Sequence, residues 1–350
     1  MVWNMFGSKP DLNADCGLTR RDWTGLALPI LASFLTRPGA AQTCEVPDTF
    51  FQQLKTLDGL PTGPESADNF ITNEDSIASV LDQLTQEVPP NSVYLGVGPD
   101  QNYSMMAAVN PSVGLILDFR KKNQLLHFLH KILICESANR IAYLEFLWAR
   151  ESGLSENGGE IELAEILQKF QMIPMQPEFL QKCRQRVSLT LKQWNYLQPE
   201  EIEETLRIES RIAGPGPALQ FLALKFYPQF QQLMQIKTRR GEPGHWLASP
   251  SYYEKIRSLQ VQDRILPIVA DWSERPKGRA SGSFQKISDW MRSQNLKVGC
   301  VYLSDVEFFL MRNQSFADYL QNLSCLPIDY EARIIRTSTK QIAHPERVSG

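Results

Sequence analysis

Four short apolar runs, each ending in polar residues, limit the folds that this 350-residue chain can adopt. The runs cover 92–98, 113–118, 264–271 and 297–305, and they are rich in valine, isoleucine and leucine. Runs of this length and composition are typical of strands that are buried on both faces. A fifth run of this kind covers 332–337. The pattern therefore predicts a sheet that is covered on both sides.

Residues with helical spacing separate these runs. Helices are predicted over Tyr103–Val109 and Gln124–Cys135, before and after the second run. The order strand, helix, strand is a crossover unit, and such units make parallel sheets. From about 137 to 260 the pattern is almost wholly helical. We therefore predict an α/β fold, a Rossmann-like parallel sheet with a large helical insertion between its second and third strands.

The overall composition excludes some partners. Hydrophobic residues make up 43% and charged residues 21% of the chain, which is ordinary for a globular protein. A net charge of −3 gives no general attraction to nucleic acid, so no nucleic-acid partner is expected. No run reaches the roughly 18 continuous apolar residues of a membrane-spanning helix. We expect no integral membrane segment in the mature chain.

Cysteine and histidine spacing gives no sign of a metal site. The six cysteines are scattered without a CxxC pair, and the four histidines are dispersed. His127 and His130 lie three residues apart on a predicted helix, but no third ligand is indicated. We predict no bound metal. Cys135 and Cys300 lie in apolar runs and are interpreted as inert core residues.

The first 42 residues have the pattern of an export signal. Arg20 and Arg21 precede an apolar run over 25–35, and two alanines follow that run at 40–41. A basic pair, a short apolar segment and a small-residue end resemble a bacterial twin-arginine signal. The alternative is an amphipathic helix of a cytoplasmic protein that begins at Thr19.

The export interpretation sets the domain boundaries and the location. Residues 1–42 would be the signal, 43–337 the mature α/β domain and 338–350 a tail. The mature protein would then be periplasmic or extracellular, and otherwise it is cytoplasmic.

Polar residues follow the predicted strands at their carboxyl ends, where parallel sheets bind ligands. Gly96, Gly98 and Asp100 follow the first strand, where glycine permits a tight turn and a close backbone approach. Asp118 ends the second strand and Asp271 ends the third. The fourth strand is followed by three more polar residues: Ser304, Asp305 and Glu307. This arrangement predicts a small-molecule site at one edge of the sheet.

The strand ends resemble those of class I S-adenosylmethionine-dependent methyltransferases. In that family a glycine loop follows strand one, acids end strands two and three, and a polar motif follows strand four. The segments VYLGVGPDQN, LDFR, VADW and YLSDVE are similar to those of an uncharacterised bacterial family with a methyltransferase-like fold.

The resemblance implies a role for each strand end. S-adenosylmethionine would be held by Gly96, Gly98 and Asp118, with its base at Asp271. The stretch from Ser304 to Glu307 would face a small-molecule substrate.

Two positions depart from the methyltransferase pattern. Tyr94 stands where that family has an acid, and Asp100 stands where a third glycine is usual. A carboxylate at Asp100 disfavours a phosphate and favours a cationic group such as a sulfonium or an amine. Alternatively, Asp100 caps the following helix. Asp118 also has an alternative role, since it can form an ion pair with Arg120 instead of binding ribose hydroxyls.

Two further segments have open interpretations. Asn69, Asn73 and Glu74 precede the first strand and either fold over the cofactor position or serve as turn and cap residues. The segment 239–246 is either a lid over the site or a plain surface loop.

Two functions therefore stay open. One is methyl transfer from S-adenosylmethionine to a small molecule, positioned for in-line attack. The other is an exported protein with the same sheet that binds another ligand or has no catalytic activity, because a fold does not define a function. Export favours the second hypothesis, since S-adenosylmethionine is a cytoplasmic cofactor.

Overall fold

The computed structural model describes residues 2–4, 44–62, 69–157, 160–275 and 282–337. The twin-arginine motif and the predicted C-terminal tail lie outside these ranges.

One sheet forms the centre of the molecule. Its strands are β1 (Val2–Asn4), β2 (Val93–Gly96), β3 (Val113–Asp118), β4 (Ile265–Val269), β5 (Val298–Tyr302) and β6 (Ile328–Ile335). Their order across the sheet is β1-β6-β5-β2-β3-β4. The five strands from β6 to β4 are parallel, and β1 pairs antiparallel with β6 at the edge. The predicted α/β fold with a parallel sheet is confirmed.

Helices cover both faces of the sheet. They are α1 (Asp48–Leu57), α2 (Ala78–Glu87), α3 (Gln101–Val109), α4 (Lys121–Glu136), α5 (Arg140–Trp148), α6 (Leu163–Met172), α7 (Pro177–Trp194), α8 (Pro199–Ala213), α9 (Phe230–Met234), α10 (Pro250–Val261), α11 (Ser283–Ser293), α12 (Val306–Arg312) and α13 (Phe316–Cys325). Helices α4 to α10 come between β3 and β4 in the chain, where the helical pattern predicted them. In the described part of the chain, no helix is both long and apolar enough to cross a membrane.

Helix α4 lies at the centre of the helical region. Every residue from Asn123 to Glu136 is buried, because α4 packs against β4 on one side and against α8 and α10 on others. A helix that is buried all round needs apolar residues on every face, as the LLHFLHKILIC stretch provides.

The chain before the sheet closes the outer edge of β4. Gly59 N donates to Val269 O at 2.7 Å, and Val269 N donates to the Asp58 carboxylate at 2.8 Å. Asp58 also accepts from Tyr196 Oη at 2.7 Å and from Gln124. Burial raises the pKa of Asp58, and these hydrogen bonds oppose the rise. The side chain thus joins α1, α4 and the edge strand, which would otherwise expose unpaired backbone groups.

The strand order creates a crevice between β2 and β5. From β2 the chain continues to β3 and β4 on one side, whereas β5 and β6 lie on the other side. Ligands of open parallel sheets bind at the carboxyl end of such a reversal point.

Candidate functional site

The predicted strand ends meet at the carboxyl edge of a single sheet. Gly96 ends β2 and Asp118 ends β3, while Asp271 and Ser304 each lie two residues beyond β4 and β5. Since β4, β3, β2 and β5 are parallel neighbours, these four residues share one edge, as the sequence predicted.

Glu74 lies over the ends of β5 and β6. Its Oε1 accepts a hydrogen bond from Ser304 Oγ, its Oε2 accepts from Thr337 Oγ1 at 2.5 Å, and Tyr302 forms a further bond. Ser304 has φ 51°, a left-handed conformation that side chains other than glycine adopt at a cost of about 1 kcal/mol or more. Burial raises the pKa of Glu74, the three hydroxyls lower it, and Asp305 raises it further. The segment that precedes α2 is therefore held on this edge by a half-buried acid.

A shallow cleft that is partly open to solvent lies beside Glu74. Its walls come from the segment before α2, the first turn of α3 and the loop after α9. The residues that line it are Thr72, Glu74, Asp75, Ile77, Ala78, Gln101, Ser104, Leu233, Ile236, Gly244 and His245. The lining contains two carboxylates and no lysine or arginine. The cleft is thus rich in hydrogen-bond acceptors.

Gln101 lines the cleft at the first turn of α3. Its Nε2 donates to Val97 O at 3.2 Å and to Tyr302 Oη at 3.4 Å. These bonds orient the amide, and they leave Gln101 Oε1 buried without a partner among the described residues. A buried carbonyl oxygen without a donor costs about 1–3 kcal/mol.

His245 contributes a neutral imidazole to the wall. Burial lowers the pKa of His245 to about 3, so the ring is uncharged at neutral pH. Its Nδ1 accepts from Leu247 N at 3.2 Å, which places the ring proton on Nε2. That nitrogen lies 3.8 Å from the Asp100 carboxylate.

Asp100 is enclosed behind this wall instead of lining the cleft. Its Oδ2 accepts from Trp246 Nε1 at 3.2 Å, and burial raises its pKa to about 6. It makes no side-chain hydrogen bond to the N-terminus of α3, so the capping alternative is wrong. Asp100 instead joins α3 to the segment 239–246, whose residues His245 and Trp246 are buried. The surface-loop interpretation is therefore wrong for these two residues.

The glycine turn after β2 is filled by the chain's own side chains. A Cβ added to Gly96 would lie 1.9 Å from Asn102 Oδ1 and 2.7 Å from Tyr94 Cε1. Asn102 Nδ2 donates to three carbonyl oxygens of the loop, and Tyr94 Oη donates to Asn102 Oδ1 at 2.9 Å. Gly98 has φ +80°, which the tight turn requires. Gly96 is thus explained by packing within the protein and Gly98 by the conformation of the turn.

Asp118 forms a two-pronged ion pair with Arg120. Arg120 Nε donates to Oδ1 at 2.8 Å and Nη2 donates to Oδ2 at 2.5 Å, while Arg120 N also donates to Oδ1. The side-chain amide of Asn69 contacts the same guanidinium. The pairing alternative for Asp118 is therefore confirmed, and the segment before α2 covers this strand end as well.

The remaining predicted residues have partners of their own. Asp271 accepts from Ser273 N at 2.8 Å and from Thr62 Oγ1 at 2.7 Å, so it holds the turn after β4. Glu307 accepts from Tyr319 Oη at 3.0 Å and pairs with Arg336 at 2.7 Å.

Asp305 lies beside Ser304 Oγ at 3.5 Å, and burial raises its pKa. Of the eight predicted site residues, none lines the cleft, although Ser304 and Asp305 border Glu74.

The histidine pair on α4 is part of the core. Tyr103 Oη contacts His127 Nδ1 at 2.7 Å, and Tyr143 Oη contacts His130 Nδ1 at 2.8 Å. Burial lowers the pKa of His127 to about 4. The described part of the chain contains no group of three or more His, Cys, Asp or Glu residues that could hold a metal ion.

Several residues of the cleft were not singled out in the sequence, among them Asp75, Gln101 and Ser104. The adjacent acids Glu74 and Asp75 and the polar segment PDQN that opens α3 could have indicated these cleft residues. Their convergence depends on contacts between segments that are distant in the chain.

Comparison with known proteins identifies a family, but the description of that family gives no function. The model of one family, described as a domain of unknown function (DUF7790), matches residues 69–349. No curated protein matches the chain. The matched range begins at Asn69 and includes every residue that lines the cleft.

Proposed function

The chain belongs to the DUF7790 family of unknown function, and we propose that it binds a small molecule with a positively charged nitrogen group in the cleft beside Glu74. The observation that carries this proposal is the composition of the cleft. Two carboxylates line it, and no lysine or arginine does.

The electrostatics of Glu74 favour a cation. Among the described residues its partners are hydroxyl groups, and none of the salt bridges includes it. Partial burial of a carboxylate without a counter-charge is unfavourable, because the group loses part of its hydration. A ligand ammonium or guanidinium would supply that charge, and charge-assisted hydrogen bonds are about twice as strong as neutral ones.

The size of the cleft favours a compact ligand. The cleft is shallow and partly open to solvent, so it suits the terminal ammonium group and first carbons of a short diamine or a basic amino acid, with the rest of the ligand outside it. Ile77, Leu233 and Ile236 would contact the aliphatic part of such a molecule.

Calorimetric titration at neutral pH tests the proposal. The probes are putrescine, agmatine and lysine, with 1,4-butanediol as an uncharged probe of similar shape. We expect heat of binding from at least one amine and none from the diol. Glu74→Gln should weaken that amine by about ten- to a hundredfold, equivalent to about 1.5–3 kcal/mol.

Glu165→Gln is the matched control, because Glu165 is exposed on α6 and far from the cleft lining. It should bind the amine as the unchanged protein does. Absence of heat with every amine, or equal weakening by both substitutions, would refute the proposal.

Methyl transfer from S-adenosylmethionine to a small molecule is the second candidate. It is favoured by the strand order β4-β3-β2-β5-β6 and by acids at the ends of β3 and after β4. This candidate also implies that the sheet is methyltransferase-like and that residues of about 137–260 form a helical insertion in it. Gly96, Gly98, Asp100, Asp118 and Asp271 would then hold the cofactor, and Ser304, Asp305 and Glu307 would face the substrate.

The side chains around these positions do not fit the cofactor in this conformation. Asn102 fills the space at Gly96, and Arg120 occupies both oxygens of Asp118. Titration with S-adenosylmethionine and S-adenosylhomocysteine separates the two candidates. If the export signal is functional, the protein is delivered to a compartment without S-adenosylmethionine, which favours the amine-binding proposal.

A further inference from the structure

A second, small cavity lies between the segment before α1, α4 and the end of α10, and two thiols line it. It is partly open to solvent and is lined by Cys44, Cys135, Lys131, Asp263 and neighbouring residues. Both cysteines are buried, at 6% and 5% exposure, and neither is part of a disulfide. This cavity shares no residue with the cleft beside Glu74.

The side chain of Cys44 lies against the turn of α4 that contains Cys135. Cys44 Sγ is 3.9 Å from the carbonyl oxygen of Lys131. In an α-helix that oxygen accepts from the backbone N–H four residues later, which here belongs to Cys135. A sulfur at this position is therefore adjacent to Cys135, and the two thiols share a hydrogen bond.

The surroundings activate one of the thiols. The hydrogen bond from Cys44 lowers the pKa of Cys135, burial opposes this, and the ammonium group of Lys131 lowers it further. Lys131 Nζ is held 2.7 Å from Asp263 Oδ1 and donates to Gln260 O, so its charge is fixed in the cavity. A thiolate beside a cation is the usual nucleophile in disulfide exchange.

We infer that Cys44 and Cys135 form a reversible disulfide, installed by a small-molecule disulfide that reaches Cys135 at the solvent opening of the cavity beside Lys131. The Cys135 thiolate attacks one sulfur of the reagent, forming a mixed disulfide and releasing one thiolate. That thiolate takes the proton of the Cys44 thiol, and the Cys44 sulfur then attacks the Cys135 sulfur, releasing the second thiolate. The two cysteines are oxidised and the reagent is reduced to two thiols, so electrons balance.

The bond would attach the segment that precedes α1 to α4. That segment is already anchored by the carbonyl oxygen of Cys44, which accepts from Trp194 Nε1 at 3.1 Å. An oxidising compartment, as the predicted export signal implies, would favour the linked form. Cys135 would then be a reactive residue and not an inert one.

The test uses the folded, reduced, full-length protein and oxidised glutathione as the probe. After brief exposure, N-ethylmaleimide blocks the remaining thiols, and mass spectrometry of the digest locates any linkage. We expect a cross-linked peptide pair containing Cys44 and Cys135, which dithiothreitol removes. In Cys44→Ser, Cys135 should instead retain one glutathionyl group. Cys183→Ser is the control, since Cys183 is buried on α7, and it should form the linkage normally.

The measurement on the unchanged protein decides the inference even if a variant fails to fold. Maleimide labelling of both Cys44 and Cys135 after glutathione treatment would overturn it. Modification of the partly exposed Cys325 alone, or a linkage between other cysteines, would overturn it as well.

Discussion

Ser304 Oγ donates a hydrogen bond to Glu74 across 230 residues of sequence. This bond ties the segment before α2 to the end of β5 and defines one wall of the cleft. The same segment reaches β3 through the contact of Asn69 with Arg120. A single stretch of chain therefore covers the carboxyl ends of two strands, and this explains why the predicted ligand edge of the sheet is largely occupied by the protein itself.

Glu209 should make stability depend on pH. It is fully buried on α8, and neither carboxyl oxygen has a partner in the described part of the chain. Burial raises its pKa from 4.5 to about 8. Because the folded pKa is raised, its stabilising contribution is present below about pH 4.5 and is lost as pH rises through about 8.

We expect Glu209 to lower the free energy of unfolding by up to about 5 kcal/mol at pH 9, since each pKa unit corresponds to about 1.4 kcal/mol. Glu209→Gln should therefore be more stable than the unchanged protein at pH 9, and the difference should shrink at pH 5. Urea unfolding at both pH values measures this. Glu203→Gln, an exposed position on α8, should have no such effect. Parallel pH profiles for the two variants would contradict the prediction.

Asp118→Ala should lower stability and leave ligand binding unchanged. It removes the ion-pair partner that binds both Nε and Nη2 of Arg120, whose side chain is only 11% exposed. Breaking a buried pair in this way costs about 3–5 kcal/mol. Asp118→Ala combined with Arg120→Leu should recover part of this loss, because the charge of Arg120 is removed as well. Urea unfolding gives the stability. Loss of affinity for an adenosine-containing ligand in a folded Asp118→Ala variant would instead support the ribose-binding role.

Gly96→Ala should destabilise the turn after β2. The new methyl group would overlap Asn102 Oδ1, and overpacking of this kind costs about 1–3 kcal/mol. Gly214→Ala is the control, because its Cβ would meet its nearest neighbour at 3.5 Å and its φ of −54° suits alanine. Thermal unfolding compares the two. An unchanged midpoint for Gly96→Ala would show that Asn102 moves readily and that the turn has room for a ligand.

The export prediction is tested at the arginine pair. Replacing both Arg20 and Arg21 by lysine should keep the precursor in the cytoplasm, whereas Arg37→Lys should not. Cell fractionation and the mass of the N-terminus measure the outcome. A mature protein that retains Met1, or fractionation unaffected by the double substitution, would refute the signal.

The sequence predicted β2 to β5 well because their signals are local, whereas it did not predict β1, and the run over 332–337 covers only part of β6. The bounds of β3 match the predicted run over 113–118, and the predicted helices around it correspond to α3 and α4. Helix α1 was missed, since its apolar face is short and turn-rich residues follow it. It is stable where it lies because Phe50, Phe51, Leu54 and Leu57 are buried by the rest of the molecule.

The partners of the polar residues were predictable only when they were near in sequence. The pairing of Asp118 with Arg120 spans two residues and was an explicit alternative. The contacts of Asp100 with Trp246 and of Glu74 with Thr337 span 146 and 263 residues. The local sequence pattern does not distinguish an acid that is available to bind a ligand from one that is already hydrogen-bonded within the protein.

The sequence alone determined the fold class, the parallel arrangement and the sheet edge that carries polar groups, because periodicity, glycine turns and crossover order are local properties of the chain. The tertiary structure decided which of those groups are satisfied within the protein and where a cleft is left. That decision depends on hydrogen-bond geometry between segments brought together only by folding, since a donor a few ångströms away satisfies a carboxylate however distant it is in the sequence.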